Sequence, residues 1–277
     1  SVSGIEERRF AGEDDTVASM GAKAARNCLN AAGVEPGEVD YLICSSGSAE
    51  RRFPGPGFEI SHALGCAEIP VLDLPLASAG ALVALDLARE LVRRYKRILV
   101  VASEKMSAVA MMEPVERGIS MLFGDGAGAC LVSEDPGPLE VVDSLIAADG
   151  KYANDLTLPF GAPLSMSGRS VILQASRKVP RSIEELLGRN HLKPADVASY
   201  VMHQANLNLI AKVASALGVE SERFFANIAR YGNTSSASLL IAASEWLPAS
   251  GIRKNQHAVF TVFGAGFQWG SMLLRGA

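Results

Sequence analysis

Pro75-Leu76-Ala77-Ser78-Ala79-Gly80-Ala81-Leu82-Val83-Ala84-Leu85 has a second version in this chain, Gly232-Asn233-Thr234-Ser235-Ser236-Ala237-Ser238-Leu239-Leu240-Ile241-Ala242. Each is a turn of small residues that passes into a helix apolar nearly all round, the signature of a buried helix. Working outward, the neighbours repeat as well. The stretch from Ala32 to Ile43 matches Asn190 to Met202, through Pro36 and Pro194 and through Tyr41 and Tyr200. Arg97-Ile-Leu-Val-Val-Ala102 matches His257-Ala-Val-Phe-Thr-Val262, and Phe123-Gly-Asp-Gly-Ala-Gly128 matches Phe263-Gly-Ala-Gly-Phe-Gln268. Four matches in one order argue for a duplicated β/α unit with halves at 1–135 and 136–277. Strands alternating with helices imply mostly parallel sheets covered by helices, an α/β architecture. The halves differ in one respect: Pro138-Leu-Glu-Val-Val-Asp-Ser-Leu145 reads as a strand, and nothing equivalent precedes Thr16. A strand is therefore expected to be lacking at the N-terminal end, through truncation or omission, which opens a sheet edge.

Between these landmarks the elements follow from caps and periodicity. Asp15-Thr16 offers an N-cap for a helix stopped near Gly33 and Pro36. Val39 to Cys44 and Val71 to Leu74 are short buried strands, and Gly57 to Leu64 is a helix closed by Gly65. A long helix is predicted over Ala81 to Tyr95, strand pieces over Gly118 to Val132, and a helix interrupted by Pro180 in the second half. With 277 residues, 48% hydrophobic and 20% charged, the chain can bury one large core or two fused ones. A net charge of −4 gives no sign of nucleic acid binding, and no apolar run is long enough for a membrane span. The opening Ser1-Val2-Ser3-Gly4 has no apolar signal core, which reads as cytoplasmic. Cys28, Cys44, Cys66 and Cys130 are scattered without a CxxC pair, as reduced core thiols and not a metal or disulfide set.

Under the duplication, Ser78 and Asn233 occupy related positions, and His203 follows the strand that matches Val39 to Cys44. Strand ends facing helix N-termini are where parallel α/β sheets bind ligands, and a nucleophile at position 78 gains from unpaired helix N–H groups. Taken singly, each residue has an ordinary reading: Ser78 as an N-cap, His203 as a satisfied core histidine, Asn233 as a turn residue. The runs Gly124-Asp-Gly126-Ala-Gly128 and Gly264-Ala-Gly266 match neither a Rossmann nor a P-loop spacing, and close packing accounts for them.

In combination the pieces are more specific. Gly4-Ile-Glu-Glu-Arg-Arg9, Leu122-Phe-Gly-Asp-Gly-Ala-Gly-Ala129, His203-Gln-Ala-Asn206, Gly232-Asn-Thr-Ser-Ser-Ala-Ser238 and Phe263-Gly-Ala-Gly-Phe-Gln-Trp-Gly270 make a chain that resembles β-ketoacyl-acyl carrier protein synthase III, of the thiolase-like superfamily. The resemblance covers practically the whole chain. It implies a homodimer with a five-layered α-β-α-β-α core, using acyl-coenzyme A and malonyl-acyl carrier protein as substrates, with no cofactor and no metal. Such enzymes load an acyl group onto a cysteine and condense it with malonyl-carrier protein, releasing CO2. By resemblance, His203 and Asn233 bind the malonyl thioester carbonyl and stabilise the enolate. Gly266 contributes to an oxyanion hole; Phe53 caps the partner subunit's acyl pocket, which Phe123 and Leu156 line. Arg117 and Asn206 belong to the coenzyme A side of the site.

The chain also departs from the pattern. Where the family has Ala-Cys-Ala/Ser-Gly, this chain has Ala77-Ser78-Ala79-Gly80. A thiol loses its proton readily at a helix N-terminus, whereas a hydroxyl needs a base during attack. Two origins are open, a natural serine variant and an engineered replacement. Two other functions stay open beside condensation: acyl transfer to a small acceptor, and a non-catalytic subunit of a heteromeric complex. Val2 stands where relatives carry an adenine-stacking arginine, and their tryptophan lies before residue 1. Asn208 replaces a basic residue of the carrier-docking helix, which leaves Lys212 and, elsewhere, the patch Arg93, Arg94, Lys96 and Arg97.

Overall fold

A computed structural model describes residues 3–66 and 68–277 of the chain; Val2 lies outside them. In the first half Thr16 opens α1 (Val17–Ala32). Its Oγ1 accepts the Ser19 N–H at 3.0 Å, and Ser19 Oγ accepts the Thr16 N–H at 2.9 Å, a reciprocal cap that satisfies two orphan donors. There follow β1 (Tyr41–Ser45), α2 (Pro56–Leu64), β2 (Val71–Leu74), α3 (Gly80–Leu91), β3 (Arg97–Glu104), α4 (Met106–Ala110), α5 (Arg117–Ser120) and β4 (Gly126–Ser133). The second half runs β5 (Leu139–Ala148), β6 (Leu156–Thr157), β7 (Ser165–Met166), α6 (Gly168–Arg189), β8 (Val197–Met202), α7 (Leu207–Leu217), β9 (Phe224–Phe225), α8 (Ile228–Tyr231), α9 (Ala237–Ser250), β10 (His257–Gly264) and β11 (Gln268–Gly276).

Three expectations need correction. Pro180 does not interrupt its helix: α6 continues through it to Arg189. The buried stripe Ala175, Val179, Ile183, Leu186 and Leu187 runs on both sides of the proline, and this packing outweighs a local penalty of about 3 kcal/mol. Helix α3 ends at Leu91 and not Tyr95, because the chain must turn there to enter β3 at Arg97. Residues 118–120 form a short helical turn, and strand begins only at Gly126.

The main strands form two sheets, ordered β2-β1-β3-β4 and β5-β11-β10-β8-β9. Read from its other end, the second sheet repeats the first: β9, β8, β10 and β11 take the places of β2, β1, β3 and β4. The central pairs are parallel and the β3–β4 and β10–β11 pairs antiparallel. Strand β5 covers the outer edge of β11 and, among the described residues, has no counterpart on β4. Beside that free edge lies a cavity of about 520 Å³ whose walls include Leu85, Val132, Leu139, Leu247, Phe260 and Leu274.

Strand periodicity sorts the side chains into layers. Ile98, Val100 and Ala102 of β3, with Ala258, Phe260 and Val262 of β10, face a central layer made of α3 and α9. Leu99 and Val101 face outward to α1 and α2, while Val259 and Phe263 face α6 and α7. The result is helix, sheet, paired helices, sheet, helix. Both central helices carry their small-residue turns, which start at Ser78 and Asn233, to one end of this layer. No helix among the described residues is long and apolar enough to cross a membrane.

Candidate active site

Ser78 precedes α3 and is buried, at 7% exposure, with a left-handed backbone (φ 59°). A non-glycine residue in that region costs on the order of 1 kcal/mol, and such strain persists where surrounding structure imposes it. Here β10 imposes it. A Cβ on Gly264 would lie 2.5 Å from the Ala77 carbonyl oxygen and 3.0 Å from Ser78 Cβ, so only glycine lets the strand pass this close. From the other half, Ser235 Oγ accepts the Ser78 N–H at 3.1 Å. Ser235 is itself left-handed (φ 49°), and its N–H donates to Asn233 Oδ1 at 2.9 Å. Asn233 is tied by its backbone to the segment before β4, its N–H to the Leu122 oxygen at 2.9 Å and its oxygen to the Gly124 N–H at 3.0 Å.

His203 follows β8 and is 2% exposed. Its N–H donates to the Thr261 oxygen on β10 at 2.9 Å. Its Nδ1 is hydrogen-bonded to Ser238 Oγ, which also accepts the Gln204 N–H at 3.2 Å. In the tautomer with the imidazole proton on Nε2, the Ser238 hydroxyl donates to Nδ1 while its oxygen accepts the Gln204 N–H. Burial drives the His203 pKa down to about 4, so the ring is neutral near pH 7. Gln204 pins this segment by donating to the Met202 and Phe225 oxygens at 2.7 and 3.2 Å. The turn 233–238 therefore joins all three residues read from the sequence. It holds Ser78 through Ser235, contains Asn233, and holds His203 through Ser238. In that tautomer Asn233 Nδ2 and His203 Nε2–H are left available as donors among the described residues.

A cavity of about 50 Å³ opens on Ser78. It is lined by Gly47, Ala77, Met106, Phe123, Leu156, Thr157, Leu158, Leu164, Ser235 and Ala265. Phe123 and Leu156 thus stand in its wall, with Leu156 carried by the β6–β7 hairpin. His203, Asn233 and Gly266 are not in that lining; Ala265, next to Gly266, is. Asn206 caps α7, its Oδ1 accepting the Asn208 and Leu209 N–H groups at 2.9 and 3.2 Å. Arg117 is exposed on α5, and Phe53 is 83% exposed, away from this chain's own cavity. Of the basic patch, Arg97 is engaged with Glu38 and Asp135 at 2.9 and 3.0 Å. Burial raises the pKa of all four thiols, Cys130 to about 12 and Cys44 also above its usual range. None of them lines the cavity. Among the described residues no three His, Cys, Asp or Glu side chains gather as a metal site.

Sequence reading passed over Ser235, Ser238, Ala265 and Glu104. The serines lay inside a quoted motif, at the three-residue spacing of a helix start. Glu104 left a plainer trace, as a charged residue ending the otherwise apolar run Ile98-Leu-Val-Val-Ala102.

Comparison with known proteins agrees along the whole chain. Residues 72–150 match the family described as 3-oxoacyl-(acyl-carrier-protein) synthase III, and residues 187–276 match its C-terminal part. A β-ketoacyl-(acyl-carrier-protein) synthase III of Shewanella oneidensis is 34% identical over 99% of this chain and 88% of its own. One from Pectobacterium atrosepticum is 36% identical with the same coverage. Among solved structures, the 3-oxoacyl-(acyl-carrier-protein) synthase III of Aquifex aeolicus superposes with a TM-score of 0.93 at 31% identity. The match covers 99% of this chain and 88% of that one. The priming β-ketosynthase of the R1128 polyketide pathway superposes with a TM-score of 0.89 at 32% identity, over 99% and 86%.

Proposed function

The chain belongs to the 3-oxoacyl-(acyl-carrier-protein) synthase III family and has its thiolase-like fold, and we propose that it performs a decarboxylating condensation that starts fatty acid or polyketide synthesis. In the first half-reaction Ser78 Oγ attacks the carbonyl carbon of an acyl-coenzyme A. The C–S bond breaks, an ester forms at Ser78, and the hydroxyl proton leaves with the coenzyme A thiol. In the second, the malonyl thioester of the carrier protein loses CO2. The resulting enolate attacks the ester carbonyl, a C–C bond forms, the C–O bond to Ser78 breaks, and the released Ser78 oxygen takes up a proton from water.

The observation that carries this reading is the turn 233–238, which attaches to Ser78, Asn233 and His203 together. A neutral imidazole with its proton on Nε2, next to an asparagine with a free Nδ2, supplies two donors for an enolate oxygen without bringing a charge. The same tautomer suits His203 poorly as a base toward Ser78, so acyl loading is expected to be the slow half-reaction. Backbone N–H groups of the 264–266 turn serve the first oxyanion, and the small cavity receives a short acyl chain. Arg117 and the end of α7 at Asn206 form the coenzyme A side.

We further infer a homodimer in which Phe53 closes the partner's acyl cavity. Strand β2 is an edge strand. Asp73 on it has a buried Oδ2 without a hydrogen-bond partner, and burial holds this carboxyl above its usual range. A second β2 pairing by two-fold symmetry would cover this edge.

Intact-protein mass spectrometry after mixing with acetyl-, propionyl- and longer acyl-coenzyme A tests the chemistry, together with CO2 release from malonyl-carrier protein. An acyl adduct at residue 78 and CO2 release are expected, with faster loading in Ser78→Cys. Acyl loading without CO2 release would mean transfer to another acceptor. No adduct in either protein would end the covalent reading.

A further inference from the structure

We infer that Glu104 is a positioning residue for acyl transfer, acting through the turn 233–238. The inference rests on the function proposed above. Ser78 and Asn233 come from different halves of the chain, so their relative placement is set only by what crosses the seam. Glu104, at the end of β3, is 0% exposed, and all its hydrogen-bond partners donate to it. From the first half, Oε2 accepts the Ser48 Oγ and N–H at 2.5 and 3.0 Å, the Gly47 N–H at 3.0 Å and Ser46 Oγ at 3.3 Å. From the second half, Oε1 accepts Ser236 Oγ at 2.6 Å and its N–H at 3.2 Å, and it shares the Gly47 N–H at 3.1 Å.

Each end of this clamp is one step from the reacting position. Ser236 directly follows Ser235, whose Oγ holds the Ser78 N–H. Gly47 lines the acyl cavity, and a Cβ there would sit 2.9 Å from Ala77 Cβ. One side chain thus sets both the turn that orients Ser78 and the wall against which the acyl chain lies. A carboxyl suits this task because backbone N–H groups of both halves converge on it, and these can only donate.

The two ends predict different kinetics. Ser236→Ala frees the turn and is expected to lower kcat for acyl transfer about tenfold with KM little changed, the scale of a misplaced reacting group. Ser48→Ala frees the wall and is expected to raise KM for acyl-coenzyme A with less than about a twofold loss in kcat. Glu104→Gln should lower kcat at least as far as Ser236→Ala, since an amide NH2 would face N–H donors. Chemical denaturation of each variant accompanies the kinetics: Ser236→Ala loses one hydroxyl bond to the carboxyl, whereas Ser48→Ala also deprives the Lys105 N–H of its acceptor at 2.9 Å and should have the lower midpoint. Losses of kcat that are equal in the two, or that follow stability and are larger in Ser48→Ala, would reduce Glu104 to a structural seam and overturn the inference. Alkylation by iodoacetamide in a Ser78→Cys background separates this from failure of the functional reading, because it needs no acyl substrate. Ser236→Ala should change the rate at residue 78 several-fold and Ser48→Ala should not. Identical rates would overturn the inference whatever the enzyme's substrate.

Discussion

His203 is a neutral imidazole in a buried site, with consequences for stability as well as chemistry. Its pKa falls from 6.5 to about 4 through desolvation. Between these values the unfolded chain binds a proton that the folded chain refuses, so stability falls as pH drops through that window and levels off below it. The loss is on the order of 3 kcal/mol. Denaturation at pH 7 and pH 4 should therefore give a larger difference in the wild type than in His203→Gln, which has no imidazole to titrate. Ser78 gives a second prediction at this scale. With φ at 59°, Ser78→Gly should be about 1 kcal/mol more stable than Ser78→Ala by denaturation, while neither forms an acyl adduct. Residue identities in the site were legible because Ser78, His203 and Asn233 each stand where an element starts or ends. Their couplings were not legible, since Ser78–Ser235 spans 157 residues and Glu104–Ser236 spans 132.

Helix α1 shows how far local signals reach. The cap at Thr16 was readable as a residue type, and the structure adds the reciprocal bond from Ser19. Thr16→Ala should cost about 1 kcal/mol in denaturation, and Ser19→Ala should cost less, because the Thr16 oxygen would still accept the residue 19 N–H. Helix α6 shows the limit of such signals. Proline is a breaker by local rules, yet Pro180 is buried inside a continuous helix. A local rule weighs one missing N–H, while the fold weighs an apolar stripe on both sides of it. Helix α3 went the other way and stopped before Val92 although the residues beyond it can be helical. Where the next strand must enter its sheet determined that end.

For the whole molecule, the two-fold repeat and the free edges matter most. If β2 joins a second β2, the protein is a dimer whose thermal midpoint rises with protein concentration, and sedimentation should show twice the chain mass. A midpoint independent of concentration, with a single-chain mass, would count against both the dimer and the role of Phe53 across it. The sequence by itself determined the repeat, the order of the main strands and helices, the family and the three positions around which the candidate site is built. These follow from residue type and periodicity, which are local and repeat in register. Only the tertiary structure decided that α6 passes through Pro180, that Ala265 and not Gly266 borders the cavity, and that Glu104 ties the halves together beneath Ser78. The last two depend on distances between residues more than a hundred positions apart, which packing across the seam sets, and the first on the apolar stripe that α6 buries within its own half.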